Sequence, residues 1–379
     1  MIRSTKLVTS LPGVAGFQIH YLCGVIFNLK ILILQNQILH YRIPLYNRLH
    51  EEFGLTVLHC GESVEGNFSQ VILEKCSYGP VTFVKKLYSA LSAVRYDVVI
   101  AMGDFRWPQF FFIKFFMPKK SRCILWGVDT GSSKAIDSLK AFFLNVMGVP
   151  IIFYSQLVAA KWKHRLRNKM YVAQNSIYVL PPIFDNHRTN IVNVGSLASR
   201  KRNDLLIAAF SALPTDILSV AKLVFVGGGE EENQLRRLAR ERMVEDKVIF
   251  MGHISDPHRL REIYSEAFVS VSVGQAGLAV SQSIGNGVQF ISHKNAITGG
   301  EIFGIKEGVT GSLLELPMAS REMESELCDL VVKYWSARGN QVVYISARQF
   351  YERSLSLEAQ VSAFILAISG NQDNGGILV

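Results

Sequence analysis

Short β-branched runs alternate with helical patterns along almost the whole of this chain, and they do so twice. From Leu29 the runs LKILIL, LTVLHC, YDVVIAM, RCILWG, VPIIFYS and NSIYVL follow one another, separated by stretches of helical pattern. Strands spaced in this way pair in parallel, because each crossover needs a helix, and those helices cover both faces of the sheet. Pro181–Pro182 and the polar run Asp185–Asn190 break the pattern and read as a linker. It restarts with NIVNVG, AKLVFVG, DKVIFMG, AFVSVSVG, GVQFISH and TGSLLEL. At 379 residues the chain exceeds what one core usually covers. The expected architecture is therefore α/β, two tandem Rossmann-like doubly wound domains facing a cleft.

The divisions expected are a first domain over residues 29–181, a second over 182–346, a helical segment over 347–368 packing back on the first domain, and a disordered tail over 369–379. Residues 1–28 are mildly apolar but lack the charged start, compact apolar core and small-residue cleavage site of a signal peptide. They read as a leader, or as a start codon placed too early. Lysines interrupt every apolar stretch long enough to span a bilayer, Lys30, Lys114, Lys119 and Lys120 among them. The five cysteines show no C-x-x-C spacing, so neither a disulfide framework nor a zinc site is indicated. Residues 1–180 hold 21 Lys and Arg against 9 Asp and Glu, whereas the remainder holds 19 against 22. That asymmetry points the first half towards something anionic, with a merely solvated basic surface as the alternative.

Three glycine turns in the second half carry the chemistry. Ala267–Gly287, AFVSVSVGQAGLAVSQSIGNG, reads as strand, turn at Gly274 and Gly277, then helix from Leu278, an arrangement suited to holding an anion. Val194-Gly195-Ser196-Leu197 precedes Arg200-Lys201-Arg202 and a helix from Asn203. Three cations at a helix N-terminus oppose its dipole, and a bound diphosphate would give them a reason. Gly227-Gly228-Gly229 leads into Glu230, Glu231 and Glu232. The dinucleotide fingerprint fails there, because Glu232 occupies the third glycine position and the carboxylates would repel a pyrophosphate.

Taken in order, Gly195-x-Leu197 with Lys201, Asp204 and Leu206, then VFVGGGEEENQL, VIFMGHI, the Gly274–Gly287 turn and GGEIFGIKEGVTGSLL resemble the donor-binding domain of family 4 retaining glycosyltransferases of GT-B fold. ILHYRIPLYNRL, ILWGVDTGSS and IIFYSQLVAAKWKHRLRNKMYVAQNSI resemble the first domain of bacterial surface-polysaccharide members. The resemblance runs from about Leu29 to Ile368. It implies an acceptor-binding first domain, a nucleotide-sugar donor-binding second domain, and hexosyl transfer from a UDP- or GDP-linked donor with retention. The acceptor it implies is a lipid-linked glycan in O-antigen, capsule or exopolysaccharide synthesis.

Carried over residue by residue, Lys201 matches the family's diphosphate lysine. The partner arginine position is Ser196 here, so Arg200 or Arg202 is expected to substitute. Gly195, Gly227 and Leu278 belong to the donor-side turns. The family's acidic pair falls on Gly274 and Gln282, and both carboxylates are missing. Gln282 keeps an amide acceptor, and the backbone N–H groups of Gln275, Ala276 and Gly277 are expected to take over contact with donor hydroxyls or phosphate. Glu301, in GGEIFG, is read as a donor contact or as a cap on the segment it begins. His293, at a strand end, is read as structural. No D-x-D occurs, so no metal is expected, and no cofactor beyond the nucleotide sugar, which is the substrate.

On the acceptor side, Asp129 and Asp104, the latter with Arg106, stand at strand C-termini, where sites of doubly wound sheets lie. The family often shows a histidine near Asp129, which puts general-base work there in question. The run Lys161–Lys169, with Phe110–Pro118 and Lys119–Arg122, suits an anionic membrane surface or a lipid-diphosphate acceptor, and the expected location is cytoplasmic, peripheral on the inner face of the membrane. Phe110–Phe116 also reads as a buried helix. No nucleic-acid motif is present. Two rivals remain: a catalytically degenerate donor-binding subunit of a synthesis complex, and a sugar-nucleotide epimerase, which needs acidic residues that are scarce here.

Overall fold

The computed structural model describes residues 29–129, 133–184 and 187–370. The leader at 1–28, the tail beyond Gly370 and part of the linker at 185–186 lie outside the described residues.

The first sheet has seven parallel strands. In chain order they are β1 (Ile31–Leu34), β2 (Leu55–His59), β3 (Ser69–Ile72), then, after a hairpin of β4 (Lys75–Tyr78) and β5 (Val81–Val84), β6 (Val98–Met102), β7 (Arg122–Trp126), β8 (Ile151–Phe153) and β9 (Met170–Val172). Their spatial order is β3-β2-β1-β6-β7-β8-β9. The second sheet is built from β10 (Asn190–Val194), β11 (Lys222–Val226), β12 (Val248–Phe250), β13 (Ala267–Val271), β14 (Phe290–His293) and β15 (Gly311–Leu314). It is parallel throughout, in the order β12-β11-β10-β13-β14-β15. Both are doubly wound parallel sheets. Every residue of β1, β6 and β13 is buried, as expected of strands covered by helices on both faces.

NSIYVL does not form a strand. The edge position is taken by the shorter Met170–Val172, and NSIYVL runs as extended chain between the domains. Its carbonyls are held from the C-terminal helices instead: Tyr351 Oη donates to the Ile177 oxygen at 2.6 Å, and Arg348 Nη1 to that of Leu180 at 3.2 Å. The same guanidinium reaches the Gly285 oxygen at 2.6 Å, tying the crossing to the second domain. Arg188, in the run read as a polar linker, is buried. It donates to the carbonyls of Tyr264 and Ala267 and stacks on Tyr344.

The C-terminal segment begins earlier than expected, as two helices, Gln341–Ser354 and Leu357–Ser369. They break at Leu355–Ser356, where the Ser356 hydroxyl accepts from Ala359 N and caps the second. The last helix lies in the core of the first domain, with Phe364 edge-on to Trp126 at 4.9 Å, a contact worth about 1 kcal/mol beyond its area. Ser369 ends that helix and Gly370 caps it, its last turn fixed by Arg122 Nη1 on the Ile368 carbonyl at 2.8 Å. None of the described helices is long and apolar enough to cross a membrane.

Candidate functional site

The strand order of the second sheet reverses between β10 and β13, so a crevice opens outside their C-terminal ends. Gly195 follows β10, Gly274 follows β13, and Gly227–Gly229 follow the neighbouring β11. These turns pack backbone against backbone. A Cβ on Gly227 would lie 2.0 Å from the Gly195 oxygen, one on Gly229 2.3 Å from the Leu197 oxygen, and one on Gly274 2.1 Å from the Arg200 oxygen. Hydrogen bonds lock the assembly: Leu197 N to the Gly228 oxygen at 2.9 Å, and Gly274 N to the Lys201 oxygen at 3.0 Å. Gly228 and Gly277 differ, since nothing lies within 4 Å of a Cβ built on either. Their faces look into open space.

Lys201 ends a single 3-10 turn, Ser199–Lys201, at the mouth of the crevice. Its Nζ sits over Gly195, 2.2 Å from where a Cβ would be, and the positive φ of 136° there favours glycine. The residue is 8% exposed, and burial lowers its pKa, with Arg200 adding to the effect. Among the described residues no carboxylate opposes this. An ammonium is thus held in a semi-enclosed site with no protein anion to neutralise it.

The neighbouring arginines separate. Arg202 is not free to face a ligand, because its guanidinium grips Asp204, Nε to Oδ1 at 3.0 Å and Nη2 to Oδ2 at 2.9 Å. Arg200 is exposed and reaches Gln275 Oε1 at 3.3 Å and Ser196 Oγ at 3.5 Å. It therefore stands at the crevice beside Ser196, where the resemblance implies an arginine, and has no carboxylate partner among the described residues. Of the two arginines expected from sequence, Arg202 is held by a carboxylate and Arg200 is not.

The Gly274 turn also differs from expectation. The helix after it is a short one, Ala279–Gly285, and Leu278 is its uncapped N-terminal residue. Ala276 is buried and its N–H bonds the Ile297 oxygen at 2.9 Å, so it cannot serve a donor. The amide of Gln282 keeps no protein partner among the described residues, although the residue is only 7% exposed. Glu301 uses Oε2 to close its own turn, accepting from Gly299 N at 2.9 Å and Thr298 Oγ1 at 3.3 Å. His293 is structural: Nδ1 accepts from Asn295 N, which leaves Nε2 to donate to the Leu316 oxygen at 2.8 Å.

Across the cleft, Gly300 touches the first domain, its Cβ position 2.4 Å from that of Ser155 at the end of β8. Tyr154 Oη in turn covers Gly127 at the end of β7, and Val128 packs on Gly103 at the end of β6. Asp129 and Asp104 thus share one edge of the first sheet, near the Gly300–Glu301 loop. Asp129 is exposed, its carbonyl held by Lys140 Nζ at 2.9 Å. Asp104 is a poor base. Partial burial raises its pKa, but the hydrogen bonds and charge of Arg106, Nη2 to Oδ2 at 2.7 Å, outweigh that and lower it.

Sequence reasoning passed over Arg42. It is buried over the Trp126 ring at 4.7 Å and donates to Gln35 Oε1 at 3.0 Å and Tyr154 Oη at 3.1 Å. It supports Tyr154, and through it Gly127.

Residues 182–326 match the family of Glycosyl transferases group 1. The second domain is a group 1 glycosyltransferase domain. Over 119 residues the chain is 32% identical to the N-acetylgalactosamine-N,N'-diacetylbacillosaminyl-diphospho-undecaprenol 4-alpha-N-acetylgalactosaminyltransferase of Campylobacter jejuni, and the match spans 31% of this chain and 31% of that protein. In structure it is similar to a glycosyltransferase from Rickettsia africae, with a TM-score of 0.67 and 14% identity over 91% of this chain and 99% of the other. It is also similar to Anabaena HepE in complex with UDP, with a TM-score of 0.65 and 12% identity over 90% and 100%. Identities this low carry the GT-B fold alone.

Proposed function

We propose that this protein is a retaining, metal-independent hexosyltransferase. It moves a sugar from a UDP- or GDP-linked donor to a lipid-linked glycan in surface polysaccharide synthesis, working at the inner face of the cytoplasmic membrane. The observation that carries the reading is the unneutralised Lys201 ammonium over Gly195, with Arg200 beside it. In glycosyl transfer the difficult charge develops on the departing diphosphate, and preorganised cations at that point lower the barrier without a protein nucleophile. The open faces of Gly228 and Gly277 leave room for the donor next to the two cations. The name of the Campylobacter relative, a diphospho-undecaprenol N-acetylgalactosaminyltransferase, supports the acceptor class.

Calorimetric titration with UDP and GDP tests the donor half of the reading. One of them should bind below millimolar concentration, and binding of neither would overturn it. Transfer to a lipid-diphosphate oligosaccharide, with the anomeric configuration of the product read by NMR, tests the rest.

A second reading is favoured by Gly274, where a Cβ would meet the Arg200 carbonyl at 2.1 Å, so the carboxylate that the family resemblance implies there is shut out. It makes the chain a donor-binding subunit without turnover. Nucleotide binding with no transfer across a panel of donors and acceptors would establish it.

A further inference from the structure

The helix Lys134–Met147 of the first domain wears its polar and apolar faces in an unusual arrangement. Leu144, Met147 and Ala141 face the core, as expected, but the solvent side carries Ile136, Leu139, Phe142 and Val146, exposed by 37, 51, 61 and 59%. At 100° per residue these four form one stripe. Phe143 lies within it on the Ile136 side, and Asn145 flanks the other side. Phe143 packs edge-on to Phe112 at 5.1 Å, which brings up the exposed Phe115 and Phe116 with Lys114, Lys119 and Lys120. Asn145 bonds the backbone of Arg165 at 2.9 Å and Arg167 at 2.8 Å, which lays the basic run Lys161–Lys169 along the opposite flank. The notion of a wholly buried Phe110–Phe116 helix is thus half right: Phe110, Phe111 and Ile113 are core, whereas Phe115 and Phe116 stand outside it.

We infer that this face, an apolar stripe between two basic flanks, docks the protein on an anionic phospholipid surface. The charge decides among occupants. Residues 105–170 hold twelve Lys and Arg against two Asp, and one of these, Asp137, is already faced by Arg165 at 3.8 Å. A second copy would set basic flanks against basic flanks. A nucleic acid would meet the cations but leave Leu139 and Val146 against phosphate. A bilayer with anionic headgroups accepts both, the aliphatic and aromatic side chains entering the acyl boundary and the lysines resting among the headgroups. The inference deepens the proposed function and rests on it for the acceptor's origin. The helix starts just beyond the β7 end that carries Asp129, so the docked face reaches the rim of the cleft, where a lipid-linked glycan would emerge.

Co-sedimentation of the full chain with vesicles tests this. Wild type should partition onto vesicles of phosphatidylglycerol and phosphatidylethanolamine, much less onto phosphatidylcholine alone, and less as salt rises. Leu139→Ser with Phe142→Ser should lower partition roughly tenfold or more, from the apolar area lost. Lys163→Glu with Arg167→Glu should lower it by at least roughly tenfold, from the charge reversed. Both pairs lie on the surface, so the thermal midpoint and UDP affinity should stay at wild-type values. Unchanged partition of both double variants, or equal wild-type binding to neutral vesicles, would overturn the inference. So would a variant that turns a dimer into a monomer in sedimentation velocity while binding vesicles as before. Nucleotide titration on the same preparations separates the two claims: vesicle binding without nucleotide binding sinks the proposed function alone, and the converse sinks the docking face alone.

Discussion

Gly274 is where a single methyl group should tell most about this site. In Gly274→Ala the new Cβ would meet the Arg200 carbonyl oxygen at 2.1 Å and the carbonyl carbons of Arg200 and Lys201 at 3.0 Å. Non-bonded carbon and oxygen stay about 3.3 Å apart, so the Arg200 carbonyl must retreat by about 1 Å. The obstacle is backbone, which cannot swing aside as a side-chain tip would. Overpacking of this kind costs about 2–3 kcal/mol, or about 5–10 °C in the midpoint of a domain of this size. The retreat also displaces Lys201, whose carbonyl holds Gly274 N, so UDP affinity should fall together with stability. Gly277→Ala is the control, because its Cβ meets nothing within 4 Å and the backbone there is not left-handed. Its midpoint without ligand should match wild type, while donor affinity drops roughly tenfold or more if the sugar nucleotide occupies that space. Differential scanning calorimetry with and without UDP reads both effects. A Gly274→Ala protein as stable as wild type, or a Gly277→Ala protein with undiminished affinity, would refute the reasoning.

Lys201→Met should leave the unliganded fold at least as stable at neutral pH, since the buried ammonium has no partner to lose, while weakening UDP roughly ten- to a hundredfold in titration calorimetry. The sign of its pH dependence follows from a folded pKa lying below the ordinary 10.5. The cost of burying the charge is fully present below the folded value and fades as pH rises from there to 10.5, so wild type should gain on Lys201→Met only across that alkaline window of urea titrations. Arg200→Ala should weaken donor binding about tenfold or more, whereas Arg202→Ala should not, losing the part-exposed pair with Asp204, worth about 1 kcal/mol at most, and a long bond to the Met318 carbonyl. Asp129→Asn should lower the rate of transfer with UDP affinity unchanged, and equal rates would remove Asp129 from the acceptor side.

The strands were legible because a parallel sheet covered on both faces demands nearly continuous β-branched runs, and ILIL, VVIAM and AFVSV satisfy that with no help from the rest of the chain. NSIYVL misled for the same reason. It has strand composition, but its carbonyls are taken by Arg348 and Tyr351, some 170 residues further on, and composition carries no record of so distant a competitor. The two edge strands of the first sheet hid because they are short or polar, Met170–Val172 and Ser69–Ile72. At the site, sequence located the glycine turns and Lys201 but could not choose between Arg200 and Arg202, since the choice depends on Asp204 being in reach of one and Gln275 of the other. Nor could it tell a missing carboxylate from an excluded one. The fold makes that distinction at Gly274, where the turn after β13 is pressed onto the backbone of Arg200 and Lys201. Any side chain there would have to push aside the segment that carries Arg200 and Lys201. Glycine at 274 and the placement of Lys201 are therefore one structural choice: the crevice gives up an acidic contact and keeps its two cations close against the turn. Neither Lys201 nor Arg200 has a carboxylate partner among the described residues, and in the proposed function the departing diphosphate supplies the charge that balances them.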